Sequence, residues 1–244
     1  MINVILDKLI VDEERNFKKF LLASVLFDLG GKLLDGNLFG ASVPNFLVTT
    51  VVGKKINTEP VSMQELKQYK QELPEALLLS FHSRAAQYWQ DCLKDLFCYF
   101  VKIHLDGKRQ FIELTNAKIT LNLSSSANLQ EQINECLMKF FEFEEYAERV
   151  RIINKILNPH NSCQDELTTI KKNIFIRNSF EHREGIIDRH ILKKLGTDKI
   201  EILDQKGQPI YFRENDKIIL STPEFDNFKR SILVVSQEWR KNSA

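Results

Sequence analysis

The sequence predicts a mainly α protein: a helical bundle with a small antiparallel β meander near the C-terminus. Three observations predict it. Apolar residues recur at spacings of three and four over long stretches, as amphipathic helices require. That period gives way to two only between about residues 199 and 221. Gly and Pro are few, 9 and 6 in 244 residues, and several of them fall at the joints of the pattern.

The N-terminal region is the least periodic. Phe17 to Leu34 reads as helix and Phe46 to Val52 as strand, with turns at Gly30-Gly31 and Gly36 to Gly40. Residues 1–60 are read as an N-terminal extension whose fold the pattern does not set, and 61–244 as the main helical domain. Glu75 to Asp106 reads as one long helix, with Leu78, Phe81, Ala85, Trp89, Cys92, Leu96, Tyr99 and Ile103 along one stripe. Pro74 stands at its start and Asp106-Gly107 at its end. A second run begins after Ser124-Ser125-Ser126 and carries Leu129, Ile133, Cys136, Phe140, Phe143, Ala147, Val150, Ile153 and Leu157 on one face. Asn158-Pro159 stops it.

A third helix spans Gln164 to Arg183, with Gly185 where a left-handed cap is wanted. A shorter one runs from Asp188 to Leu195, closed by Gly196. The meander follows as Lys199 to Leu203, the turn Asp204-Gln205-Lys206-Gly207, Pro209 to Arg213 and Lys217 to Leu220, a β-hairpin insertion at about 199–221. Pro223 then opens a final helix to about Arg240.

Composition removes whole classes of function. Hydrophobic residues make up 43% and charged residues 27%, enough for a packed core and unlike a disordered or collagenous chain. With 34 basic against 33 acidic residues there is no global positive field, so any nucleic-acid contact must be local. No apolar stretch approaches the roughly 20 residues that span a bilayer. The first residues lack a basic n-region and a small-residue cleavage site, so a cytoplasmic protein without membrane contact is expected. The four cysteines form no C-x-x-C pair and read as reduced, structural thiols. Phosphate-binding glycine loops and H-E-x-x-H are absent, and His82 and His104 with Cys92 and Cys98 fit no compact zinc spacing. Neither metal nor cofactor is expected.

The informative stretch is Ile174 to Ile187. At about 100° per residue, Leu167, Ile170 and Ile174 define a narrow apolar stripe that should continue at positions 177, 178, 181 and 182. It continues instead as Arg177, Asn178, Glu181 and His182. Burying such groups without partners costs roughly 1 to 3 kcal/mol apiece, so a face that turns polar at its end suits a cleft lining. From Lys171 to Lys194 the chain holds seven basic residues against three acidic, a local phosphate footprint.

Arg177-Asn178 followed by His182, with Gly185 and Ile186-Ile187 beyond and a long amphipathic helix leading in, resembles the HEPN superfamily. Its ribonuclease members carry Arg, four to six residues and then His, often with Asn after the Arg. The resemblance covers about Glu75 to Leu195. It implies a HEPN-like bundle and a metal-independent RNA endonuclease, a toxin or antiphage defence effector that cleaves by 2′-hydroxyl attack and leaves a 2′,3′-cyclic phosphate. It also implies a homodimer whose motif helices share a cleft. An antitoxin or other defence-system protein is a further expected partner.

In this reading Arg177 and His182 are catalytic. A histidine titrates near neutrality and suits proton transfer, while a guanidinium fork matches phosphoryl oxygens. Asn178, Glu181 and Arg183 support catalysis or bind phosphate, and Lys171, Lys172 and Arg189 contact RNA. Two alternatives stand beside it. One is a noncatalytic HEPN scaffold for dimerisation or RNA binding in a defence or regulatory complex. The other is a purely structural helical protein with no nucleic-acid contact; against the dimer stands a monomer in which Arg177 simply pairs with Glu181 four residues on.

Overall fold

In the computed structural model the described residues are 1–35, 45–52, 55–114, 128–158 and 160–243. Among them the chain forms seven α-helices and two two-stranded antiparallel sheets, the mainly α class with a small sheet near the C-terminus. In order these are α1 (Ile2–Asp35), β1 (Asn45–Val52), β2 (Lys55–Ser62), α2 (Met63–Leu105), α3 (Leu129–Phe143), α4 (Tyr146–Leu157), α5 (Gln164–Arg183), α6 (Arg189–Leu195), β3 (Ile200–Leu203), β4 (Pro209–Phe212) and α7 (Thr222–Lys241). The turn expected at Gly36 to Gly40, the serines at 124–126 and Pro159 lie outside the described residues.

The N-terminal helix starts fifteen positions earlier than its sequence pattern suggests, at Ile2 instead of Phe17. Its inward stripe is Leu6, Leu9, Glu13, Asn16 and Phe20, all buried. Two polar members hide the apolar period. Phe17 and Phe20 meet Phe225 of α7 with ring centroids 5.3 and 5.4 Å apart, so α1 enters the same core as α2 and α7. The strand at 46–52 is present and pairs with β2, from Asn45 opposite Ser62 to Val52 opposite Lys55.

Helix α2 begins at Met63 and takes Pro74 into its interior, where the sequence pattern places the helix start. A proline there forgoes one bond to the carbonyl four residues back, and the flanking turns sustain the helix across it. The second helical run is broken in two. Glu145 is extended (φ −59°, ψ 144°) and separates α3 from α4. The break leaves Phe143 88% exposed instead of inward, and it delivers Tyr146 to the interior, where its hydroxyl accepts a 2.9 Å bond from Trp89 Nε1. Trp89 stacks on Trp239 of α7 at 5.3 Å, and the Trp239 indole donates to Asn154 of α4 at 3.0 Å. These two indoles tie α2, α4 and α7 together.

Helix α5 has the boundaries its pattern predicts, ending in left-handed Glu184 and Gly185. Asp188 caps α6 by accepting from Ile191 N at 2.7 Å, and Gly196 closes it at φ +75°. Two of the three expected meander strands form, pairing from Ile200 opposite Phe212 to Leu203 opposite Pro209. The third, Lys217 to Leu220, makes only an isolated bridge, from Lys217 to Ile186. Ser221 caps α7 by accepting from Glu224 N at 3.1 Å, with Pro223 in the first turn. No described helix is long and apolar enough to cross a membrane.

Candidate functional site

Helix α5 is held from inside. Ile170, Asn173, Ile174, Ile176 and Ser179 are buried, a face wider than the stripe of Leu167, Ile170 and Ile174 read from sequence. At its centre Asn173 donates through Nδ2 to Thr169 O at 3.0 Å and to Glu224 Oε1 at 2.8 Å. That fixes its amide, so Asn173 Oδ1 accepts from His82 Nε2 at 2.9 Å. The Nε2–H tautomer of His82 follows from this network. Burial pushes the His82 imidazole down to about 4, opposed by its bond to Asn173 and reinforced by the nearby Arg177 charge.

Glu224 is fully buried and fully engaged. Oε1 also receives Lys172 Nζ at 2.9 Å, and Oε2 accepts Leu203 N at 2.9 Å. Lys172 Nζ donates as well to Glu201 O at 2.8 Å. The expectation that Lys172 contacts RNA is thereby corrected: its charge is spent on a buried carboxylate, and only 19% of its side chain is exposed. Its neighbour Lys171, about 100° round the helix, lies on the outside and faces a groove between α4 and α5.

The motif occupies the last two turns of α5. Arg177 has a side chain only 20% exposed; it meets Glu181 Oε1 at 2.5 Å and donates to Asn178 Oδ1 at 3.2 Å. The intrahelical pair with Glu181 is therefore present. His182, Glu181 and Arg183 are exposed, and Asn178 is half-buried. Arg183 pairs with Asp188, which also caps α6, so this arginine braces the chain reversal after α5. Arg189 is exposed at the start of α6.

Past Arg183 the backbone turns sharply. Gly185 lies at φ +84° with its α-carbon against Phe180, and a Cβ there would come within 2.5 Å of that ring. Ile187 and Ile218 then ladder across to the returning chain, Ile187 N to Asp216 O at 3.0 Å and Ile218 N to Gly185 O at 2.9 Å. The end of the motif helix is thus fixed in backbone, with Glu181, His182 and Arg183 exposed and Arg177 largely covered.

Two features escaped sequence reading. His82 looked like an ordinary helix residue, and nothing in its spacing signals a partner 91 positions away. Glu224 stands in the first turn of α7, where an acid is a common surface choice, and no sequence pattern singles it out. Among the described residues no three His, Cys, Asp or Glu side chains are grouped as metal ligands. No protein-family model, curated protein or solved structure matches this chain.

Proposed function

We propose that this protein is a metal-independent RNA endonuclease with Arg177 and His182 as its catalytic pair. One observation carries the proposal: Arg177, Asn178 and His182 share the last two turns of a helix clamped on its inner face, with His182 exposed and Arg177 reaching out from the edge of the buried side. The resemblance to HEPN ribonucleases supports the same assignment. His182 takes the proton from the 2′-hydroxyl, and the 2′-oxygen bonds to phosphorus. The 5′-oxygen leaves with a proton from water, giving a 2′,3′-cyclic phosphate and a 5′-hydroxyl. Arg177 neutralises charge growing on the nonbridging oxygens, where a fixed cation is most effective. Asn178 orients the phosphate beside it.

The proposal extends to a homodimer in which two motif helices line one cleft. On the wheel Arg177 falls at about −60° and His182 at about +80° from Ile174; Ile170 and Ile174 are buried in the chain's own core, so the two-fold axis faces the exposed His182 side of the helix and not that stripe. A toxin or defence effector of this kind needs an inhibitor protein, which is the expected partner.

A second reading, a noncatalytic RNA-binding or dimerisation scaffold, is favoured by the Arg177–Glu181 pair, which already occupies the guanidinium. Incubating purified protein with RNA in excess chelator separates the two. The nuclease reading expects cleavage with cyclic-phosphate ends, and loss of about 10²- to 10⁴-fold in His182→Ala, the usual effect of removing a general base. Arg177→Ala should lose most cleavage while remaining folded. Activity that needs a divalent ion, or 3′-hydroxyl products, overturns the mechanism; RNA binding without cleavage selects the scaffold.

A further inference from the structure

We infer that the groove between α4 and α5 is the track along which single-stranded RNA reaches the Arg177–His182 end of the motif helix. The inference rests on the nuclease reading for its direction, and it adds the binding site and the form of the substrate. The groove is open and about 290 Å³ in volume, with Arg151 and Lys155 on its α4 wall and Gln164, Thr168 and Lys171 on its α5 wall. Arg151 is already paired with Glu148. Lys155 and Lys171 enter no ion pair among the described residues and supply the positive charge of the groove, with Lys155 also within electrostatic reach of Glu148. Gln164, one of whose amide hydrogens already goes to Asn161 Oδ1 at 2.7 Å, keeps a second donor for phosphate, and the Thr168 hydroxyl, which donates to Gln164 O at 2.8 Å, can accept from a sugar hydroxyl.

Helix geometry joins this groove to the motif. Gln164, Thr168, Lys171, Phe175, Asn178 and His182 follow one another at steps of four, three, four, three and four. At about 100° per residue, the eighteen positions from Gln164 to His182 complete five turns and return to the same side of the helix. The α5 wall of the groove therefore runs straight into the catalytic end, with Lys171 about 16 Å from His182 along the axis. Phe175 lies between them, partly exposed and edge-on to Tyr146 at 6.5 Å, placed where a base stacks on an aromatic ring.

Chemistry selects a single strand. Attack by a 2′-hydroxyl needs the 2′-oxygen, phosphorus and 5′-oxygen in line, an arrangement that a stacked A-form helix withholds and a flexible strand reaches.

The test uses the full chain carrying His182→Ala, so that RNA stays intact, with a labelled single-stranded RNA and its duplex at several salt concentrations. Lys155→Ala with Lys171→Ala should weaken single-strand binding roughly tenfold at low salt and flatten the salt slope by about 1.4, two contacts at about 0.7 each. Lys18→Ala with Lys19→Ala, the same charge change on exposed positions of α1, should leave both unchanged. Equal losses in the two double variants, equal affinity for duplex, or no binding by the His182→Ala parent overturns the groove. So does equally tight binding of polyglutamate, which identifies an acidic-protein surface instead. The nuclease reading fails separately: a wild-type chain that never cuts but whose Lys155/Lys171 variant still loses single-strand binding keeps the groove and removes the catalysis. A Lys155/Lys171 variant that cuts with parental kcat/KM does the reverse.

Discussion

His82 on α2 and Asn173 on α5 meet in the protein interior, Nε2 to Oδ1 at 2.9 Å, one helical turn before Arg177. The bond holds the motif helix against the bundle from the side opposite its open face. It also makes the clamp sensitive to protons, because the His82 ring fits only when neutral.

Two buried groups shape stability against pH. His82 is lowered from 6.5 to about 4 by burial, so the unfolded chain binds the extra proton between these values and stability falls as pH drops through that window. Glu13 is raised from 4.5 to about 8, by burial first and Asp12 second, against the pull of Lys229. Here the folded chain holds the extra proton, so stability falls as pH rises from 4.5 toward 8. Between about 4.5 and 6.5 the two slopes oppose each other. Urea midpoints against pH should show Glu13→Gln removing part of the loss between pH 6.5 and 8. Parallel parent and variant curves across that range would refute it.

Glu224→Ala should destabilise by about 3–5 kcal/mol, the usual cost of stranding one member of a buried ion pair. Lys172 would lose its anion, and Asn173 and Leu203 N their acceptor. Glu201→Ala, at an exposed position, should cost under about 1 kcal/mol. Denaturant unfolding of the two variants compares them directly.

Glu181→Gln should tighten RNA binding. The carboxylate is Arg177's partner at 2.5 Å and competes with phosphate for the same guanidinium. As a partly exposed intrahelical pair it contributes only about 0.3–0.5 kcal/mol to stability. A lower KM with an unchanged Tm is the expected pattern; a higher KM would show that Glu181 helps place Arg177.

Gly185→Ala should cost more than Gly196→Ala. Both sites have positive φ, which is worth about 1–2 kcal/mol against a side chain. At Gly196 a Cβ meets open space, whereas at Gly185 it meets the Phe180 ring at 2.5 Å. Thermal unfolding should rank the variants in that order.

Much of the helical layout was legible because helices α5, α6 and α7 announce both their apolar period and their ends. Gly185, Gly196 and Pro223 stand where backbone geometry requires them. What failed did so for local reasons. Pro74 was read as a boundary although a long helix can carry one missing bond, and Glu13 and Asn16 broke the stripe of α1 by being buried polar residues. Phe143 and Ala147 look like one continuous face because periodicity is blind to a two-residue break. At the candidate site, the residue types of Arg177, Asn178 and His182 were readable, while the inward turn of Lys172 depended on Glu224, 52 positions later. Adjacent lysines on a helix point about 100° apart, and only the tertiary partner decides which one is solvated.

The chain departs from the end of α5 at Ile187 and is back within hydrogen-bond reach of it at Asn215, whose N–H meets Ile187 O at 2.8 Å. Everything between, α6 and the β3–β4 hairpin, is an excursion that begins and ends at one place, with its far end stitched to α7 through Leu203 and Glu224. Only the exposed tip at Gln205 and Lys206 lies beyond both fastenings. That tip is a graft point. Inserted peptide there lengthens a loop whose stem is already closed, at a cost of only about 0.6 kcal/mol for each doubling of length, and a reporter or affinity tag can be carried there without touching the motif helix.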